Sequence, residues 1–236
     1  MSFVHHDHML LYYGSLLVAL SVPTIIFAVF ALPHPQLFVL SSCAAFFYLI
    51  AITIGAIPYY VLPYPYIAII STFIAIELAR FLLIRSYRRV VPTFSRSGYN
   101  SVLFPLNDLT ASIACGATFA GVQSVLEFFT ISGYIRGPGT VYSSGCQIMS
   151  ALVLAAWISL IRGIMHVALM VAAFPEYTVS LRVAIPVVAI HGASVVLMRA
   201  ISACSLSLPI QTGIMLAAIL LALRVVMPPH LPKARF

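Results

Sequence analysis

Long apolar stretches alternate with short polar ones along the whole chain. The apolar runs lie at about 9–31, 37–57, 65–84, 108–131, 147–172, 182–203 and 208–227. A helix needs about 20 apolar residues to cross a ~30 Å hydrocarbon core, and each run is of that order. Pro33 and Pro35 separate the first two runs, and Pro58, Pro63 and Pro65 separate the second and third. The connection between the third and fourth runs is the longest and most polar. Residues 132–145 are rich in Gly, Ser and Tyr and read as an exposed loop. The pattern predicts an all-α polytopic membrane protein: a bundle of seven transmembrane helices forming one domain over residues 1–236.

Composition agrees with that pattern. Of 236 residues, 62% are hydrophobic and only 7% are charged. A soluble domain usually carries about 25% charged residues, and roughly half of its surface must meet water. Lipid is the solvent that accepts this composition. The first run is too long for the apolar core of a signal peptide, and the residues before it are not basic, so it reads as the first span.

Charge adds orientation. The formal net charge is +7, from 12 basic and 5 acidic residues. Arg85, Arg88, Arg89 and Arg96 follow the third run, Arg182 precedes the sixth, and Arg224, Lys233 and Arg235 close the chain. Seven spans put all of these on one side of the membrane, which the positive-inside rule makes the cytosol. Arg136 and Arg199 fall on the other side. The N-terminus is then lumenal or extracellular and the C-terminus cytosolic. Basic residues beside apolar runs serve membrane orientation, so no nucleic-acid partner is expected.

Ionisable residues inside spans are costly and usually face protein or a water-filled cavity. Glu77 and Arg80 lie in span three at i,i+3 spacing, on one helix face. Either they neutralise each other while Arg80 snorkels toward the headgroups, or Glu77 faces the bundle and holds another polar group. Arg162 and His166 lie one turn apart in span five, and Glu77 or Glu127 would serve as partner to Arg162. His191 lies in span six. Alone it reads as an interhelical hydrogen-bonding residue; with His166 and Glu77 it points to one buried polar cluster. Glu127 reads as a charge toward the outer end of span four, with Arg136 as an exposed partner. The string His5-His6-Asp7-His8 reads as a polar cap before span one rather than a metal site.

Gly116, Ala120 and Ser124 recur every four residues in span four, with Gly121 beside them. Such a row lets a second helix approach closely. That helix is either another span of this chain or a partner subunit's span. Cys43, Cys115, Cys146 and Cys204 form no C-x-x-C pair, which argues against structural zinc. The sequence leaves open whether Cys146 and Cys204 pair, because a disulfide needs Cα atoms within about 7 Å. No internal repeat of the transporter kind is visible.

These strings together resemble the anterior-pharynx-defective (Aph) family, the scaffold subunit of γ-secretase. Glu77-Leu78-Ala79-Arg80-Phe81 with the basic segment after it resembles that family's third span. Gly116-Ala117-Thr118-Phe119-Ala120, continuing to Ser124-Val125, resembles its fourth-span glycine row, with Ala120 and Ser124 where the family usually has Gly. Gly137-Pro138-Gly139 resembles the turn that follows. His166 and His191 stand where the family has two intramembrane histidines. The resemblance covers about residues 70–225.

It implies a non-catalytic subunit, with no cofactor and no metal, that assembles with presenilin-like, nicastrin-like and presenilin-enhancer-like membrane subunits. It also implies a role in intramembrane proteolysis, Notch signalling included, at endoplasmic reticulum, Golgi, endosomal or plasma membranes. The chain's aspartates are Asp7 and Asp108, both at span ends, so it carries no catalytic aspartate pair.

Two other classes compete. Type II CAAX prenyl proteases have a similar layout, in which Glu77 would activate water and the two histidines would stabilise the oxyanion. That family's motif resembles Glu-Glu-x-x-x-Arg, whereas Ile76 stands here in place of one Glu. Its last histidine is followed four residues on by Asn or Asp, whereas Val195 stands here. A seven-span receptor or a transporter is the other class. Glu77 and Arg80 are not adjacent as the receptor motif after span three requires, while an intramembrane polar cluster would also suit ion transport.

Overall fold

The computed structural model describes residues 2–96, 107–133, 142–143, 145–201 and 203–227. Gly137, Pro138, Gly139 and Arg136 lie outside the described residues, as do the side chains of His5, His6, Asp7 and His8. Among the described residues, seven helices are long and apolar enough to cross a membrane. They are α1 (Ser2–Ile26), α2 (Pro35–Val61), α3 (Pro65–Arg96), α4 (Asp108–Gly133), α5 (Ala151–Ala173), α6 (Leu181–Ala200) and α7 (Cys204–Val226). The protein is therefore all-α in its membrane part.

Proline marks the irregular points. Pro23 lies inside α1, and a π-turn over Phe27–Ala31 follows it, closed by the Leu32 amide donating to the Phe27 carbonyl at 2.9 Å. A ring in place of N–H costs one helical bond, and a local change of winding restores the ladder beyond it. Pro35 opens α2, where its missing N–H is no loss.

Between α4 and α5 the chain forms a short antiparallel hairpin, β1 (Tyr142–Ser143) and β2 (Cys146–Ser150). Tyr142 pairs with Ser150 and Ser143 with Cys146, with a bulge between. Ser150 then caps α5, its side chain accepting from the Val153 amide. Cys146 and Cys204 form a disulfide with Cα atoms 5.1 Å apart, tying the hairpin to the start of α7.

Helix α5 is the axis of the bundle. Of its most apolar stretch 56% is buried within the chain, against 11% for α7, so α5 is surrounded by the chain's own helices and α7 lies at the edge of the bundle. It packs most extensively on α4 and also meets α7 and α1, while α2 pairs chiefly with α3. Helices α3 and α6 meet over a short stretch only.

Small residues set the closest crossings. A Cβ on Gly116 would lie 2.9 Å from Val167 Cα, so α4 and α5 touch backbone to backbone. A Cβ on Gly55 would lie 2.5 Å from Thr72 Cα, and Ser71 donates to the Gly55 carbonyl at 2.5 Å. Without a hydrophobic drive between helices in lipid, this contact area and these hydrogen bonds hold the bundle together.

Candidate functional site

The buried ionisable residues of the spans, Glu77, Arg80, Glu127, Arg162, His166 and His191, gather in two linked networks. The first centres on Glu77 of α3. Its Oε1 accepts from Arg80 Nη1 at 2.5 Å and lies 2.5 Å from Nδ1 of His191 on α6. Facing a carboxylate, Nδ1 is the nitrogen that carries hydrogen, which leaves Nε2 as the acceptor of a neutral ring. The other oxygen, Oε2, accepts from the hydroxyl of Tyr177.

Tyr177 sits in the connector between α5 and α6, where its amide donates to the Ala173 carbonyl at 2.9 Å and continues the last turn of α5. Burial, reinforced by the Glu77 carboxylate, pushes the Tyr177 phenol up, so it keeps its proton and donates. Both oxygens of Glu77 are thus engaged by groups from three segments.

The second network runs from α2 through α4 to α5. Tyr48 donates to Gln123 Oε1 at 2.6 Å, and Gln123 Nε2 donates to Glu127 Oε2 at 3.3 Å. Arg162 Nη1 donates to Glu127 Oε1 at 2.6 Å. The two networks meet at the histidines: the His166 and His191 rings lie 5.0 Å apart edge to face, and Tyr48 stands 6.0 Å from His166.

Glu77 and Glu127 balance Arg80 and Arg162, each carboxylate beside one guanidinium. Buried charges are tolerated when paired in this way, since an isolated one costs several kcal/mol or more. A cavity of about 290 Å³ lies against Gln123, Glu127, Arg162, His166 and His191, with Phe73 on its apolar side.

All five residues of the expected cluster, Glu77, Arg80, Arg162, His166 and His191, are therefore in this one region, and all are buried. Arg80 is fully buried, so it pairs with Glu77 inside the bundle rather than snorkelling to the headgroups. Arg162 takes Glu127 rather than Glu77. Glu127, expected as an outer charge, is buried as that partner.

The fourth-span row faces inward. Gly116 abuts Val167 and Met170 of α5. A Cβ on Gly163 of α5 would lie 3.2 Å from Ser124 Oγ and 3.7 Å from Ala120 Cβ, and Gly121 faces Pro23 of α1. The helix on that row is the chain's own α5, so the row is not an open face for a partner's span.

Sequence reasoning missed Tyr177, Tyr48 and Gln123. Gln123 carried a readable signal, since it stands four residues before Glu127 and shares its face. Tyr177 carried none, because a connector has no periodicity from which to read direction.

No curated protein matches the chain at a significant level. A sequence model of the Aph-1 proteins matches residues 10–228, nearly the whole chain and some part of every helix. With its seven spans and its span-crossing Glu–Arg and histidine contacts, the chain belongs to the Aph-1 family, whose members are components of γ-secretase.

Proposed function

We propose that this chain is the non-catalytic scaffold and assembly subunit of a γ-secretase-like complex, stabilising a presenilin-like catalytic subunit beside nicastrin-like and presenilin-enhancer-like subunits. Family membership supports the complex. The observation that carries the scaffold role is the state of Glu77. Its two oxygens are taken up by Arg80, His191 and Tyr177, so the carboxylate joins α3, α6 and the α5–α6 connector instead of presenting a free base to water. A buried polar network of this kind specifies one helix arrangement, the property a docking platform needs. The fourth-span row serves the same end by clamping α4 to α5. The whole chain acts as one membrane domain of endoplasmic reticulum, Golgi, endosomal or plasma membranes.

The proposed orientation has two independent supports. Arg85, Arg88, Arg89, Arg182 and Arg224 gather at one end of the bundle, the end the positive-inside rule assigns to the cytosol. The Cys146–Cys204 disulfide lies at the other end, and disulfides persist on the oxidising side of a membrane. Both support an N-terminus in the lumen or outside.

The test is purification of the tagged chain in gentle detergent, with co-purifying chains identified by mass spectrometry. Presenilin-like and nicastrin-like chains are expected. Recovery of the chain alone would count against the scaffold role.

One observation favours a second reading, a glutamate-dependent intramembrane protease. His166 and His191 both line the 290 Å³ cavity, and His191 bonds Glu77. Cleavage of a membrane substrate by the purified chain alone, abolished by Glu77→Gln, would establish it. Ile76, where the protease motif has a second Glu, weighs against it.

A further inference from the structure

A second hollow lies away from the polar cluster, at the arginine-bearing end of the bundle. It has a volume of about 330 Å³ and sits between α3 and α6, where the two helices part. Phe81 of α3 forms one wall, the connector residues Tyr177 and Val179 form the floor, and Leu181 and Ala184 of α6 form the other wall. Arg88 fixes that floor by donating to the Phe174 carbonyl at 2.9 Å. The walls are mostly apolar, with Thr178 and Ser180 of the connector as polar lining, and two arginines neighbour the lining residues. The guanidinium of Arg85 lies 5.9 Å from the centroid of the Phe81 ring, and Arg182 follows Leu181 in the first turn of α6. Both arginines are exposed, and Glu176 is the acidic residue of the adjoining connector.

We propose that this hollow is a site for one anionic glycerophospholipid, with an acyl chain between Phe81 and Ala184 and its phosphate held by Arg85 and Arg182. The charge beside the slot selects the occupant. An apolar slot alone would take any lipid, but exposed arginines beside its lining residues Phe81 and Leu181 favour a headgroup with net negative charge. Arginine suits phosphate because its planar fork presents two parallel donors. The location suits it also, since the hollow opens at the end of the bundle where basic residues meet an anionic leaflet. A lipid seated here would fill the gap that α3 and α6 leave and would brace the connector carrying Tyr177.

The experiment uses the full chain in nanodiscs of phosphatidylcholine with a minority of phosphatidylserine, released for native mass spectrometry. One phosphatidylserine should stay bound in preference to phosphatidylcholine. The double variant R85Q/R182Q should lower that occupancy by roughly thirty-fold, the effect of removing two arginine–headgroup attractions. R224Q, at the same end on α7, should leave it unchanged. Ala184→Trp, which fills the slot with both arginines in place, should also expel the lipid. Thermal melting and the intact disulfide mass report that each variant is folded.

Equal retention of the two lipids, or equal loss in R224Q, would overturn the site in favour of general interfacial charge. A photo-reactive residue at Ala184 that captures a polypeptide instead of lipid in the assembled complex would overturn it in favour of a peptide site.

Discussion

His191 Nδ1 lies 2.5 Å from Glu77 Oε1, across one of the few places where α3 and α6 touch. The neighbouring contact is apolar: a Cβ on Gly192 would lie 3.3 Å from the Phe73 ring, and that ring stands 5.1 Å from His191. The hydrogen bond therefore carries much of what fixes α6 in rotation against α3. It also links the polar cluster to the outer surface, because little of α6 is buried within the chain itself.

His191→Ala should therefore lower assembly more than it lowers the chain's own stability. Removing the imidazole frees α6 to rotate and leaves Glu77 with Arg80 and Tyr177. A hydrogen bond to a charged group contributes about 1.5–3 kcal/mol, and less where an unfolded membrane chain finds other partners. Yield of the chain should fall modestly, while co-purification of the other subunits falls several-fold. Wild-type co-purification in His191→Ala would remove the cluster from any part in assembly.

Tyr177→Phe isolates one hydroxyl. The ring stays, so packing against the bundle is kept, and one donor to Glu77 Oε2 is lost. A loss of about 1 kcal/mol is expected in a reversible unfolding assay in mixed micelles. The connector should also become more open to protease. No change in either measurement would mean that the connector is held by Arg88 and backbone bonds alone.

The Glu127–Arg162 pair allows a double-mutant cycle. Arg162→Leu leaves Glu127 buried with Gln123 as its neighbour and should cost about 3–5 kcal/mol, as for a buried pair stripped of one partner. Glu127→Leu alone should cost a similar amount. The double variant should cost less than either single one, because no uncompensated charge remains. Additive losses would show that the two residues act independently.

Sequence alone reveals as much of this fold as periodicity reaches. Seven apolar runs are legible because lipid imposes one length and one composition on every span. The Glu77–Arg80 contact is legible because i,i+3 spacing lies within a single helix. Arg162 could be narrowed to two carboxylates but not to one, since choosing between Glu77 and Glu127 requires the rotation of three helices. The same missing rotation left open both the face of the Gly116 row and whether Arg80 reaches the headgroups. Tyr177 was invisible because its direction comes from the path of a connector. The Cys146–Cys204 distance depends on a hairpin that no apolar pattern announces.

Gly116 and Gly213 make a matched contrast. Gly116→Ala sets a methyl 2.9 Å from the Val167 Cα, where backbone has to shift, whereas a Cβ on Gly213 meets nothing within 4 Å. The first should destabilise by about 1–3 kcal/mol through overpacking. The second should be neutral or stabilise by up to about 1 kcal/mol, because alanine favours helix over glycine. If the two variants unfold alike, α4 and α5 do not cross backbone to backbone.

The disulfide closes a segment 58 residues long that contains both α5 and α6. Chain-entropy arguments give such a loop about 4 kcal/mol in a fully unfolded chain. In a membrane the unfolded reference keeps its spans helical, so the freedom removed is smaller. Cys146→Ser should therefore lower stability by less than that, with the loss concentrated in the hairpin and the start of α7. Because Cys204 also donates its amide to the Gly145 carbonyl at 3.0 Å, the hairpin keeps one tie to α7 and the fold should survive. Thiol alkylation of intact membrane vesicles, before and after reduction, gives the readout. Cys146 and Cys204 should label only after reduction, and with a membrane-impermeant reagent only from the lumenal or extracellular side. Labelling from the cytosolic side would invert the proposed orientation, and labelling without reduction would remove the disulfide.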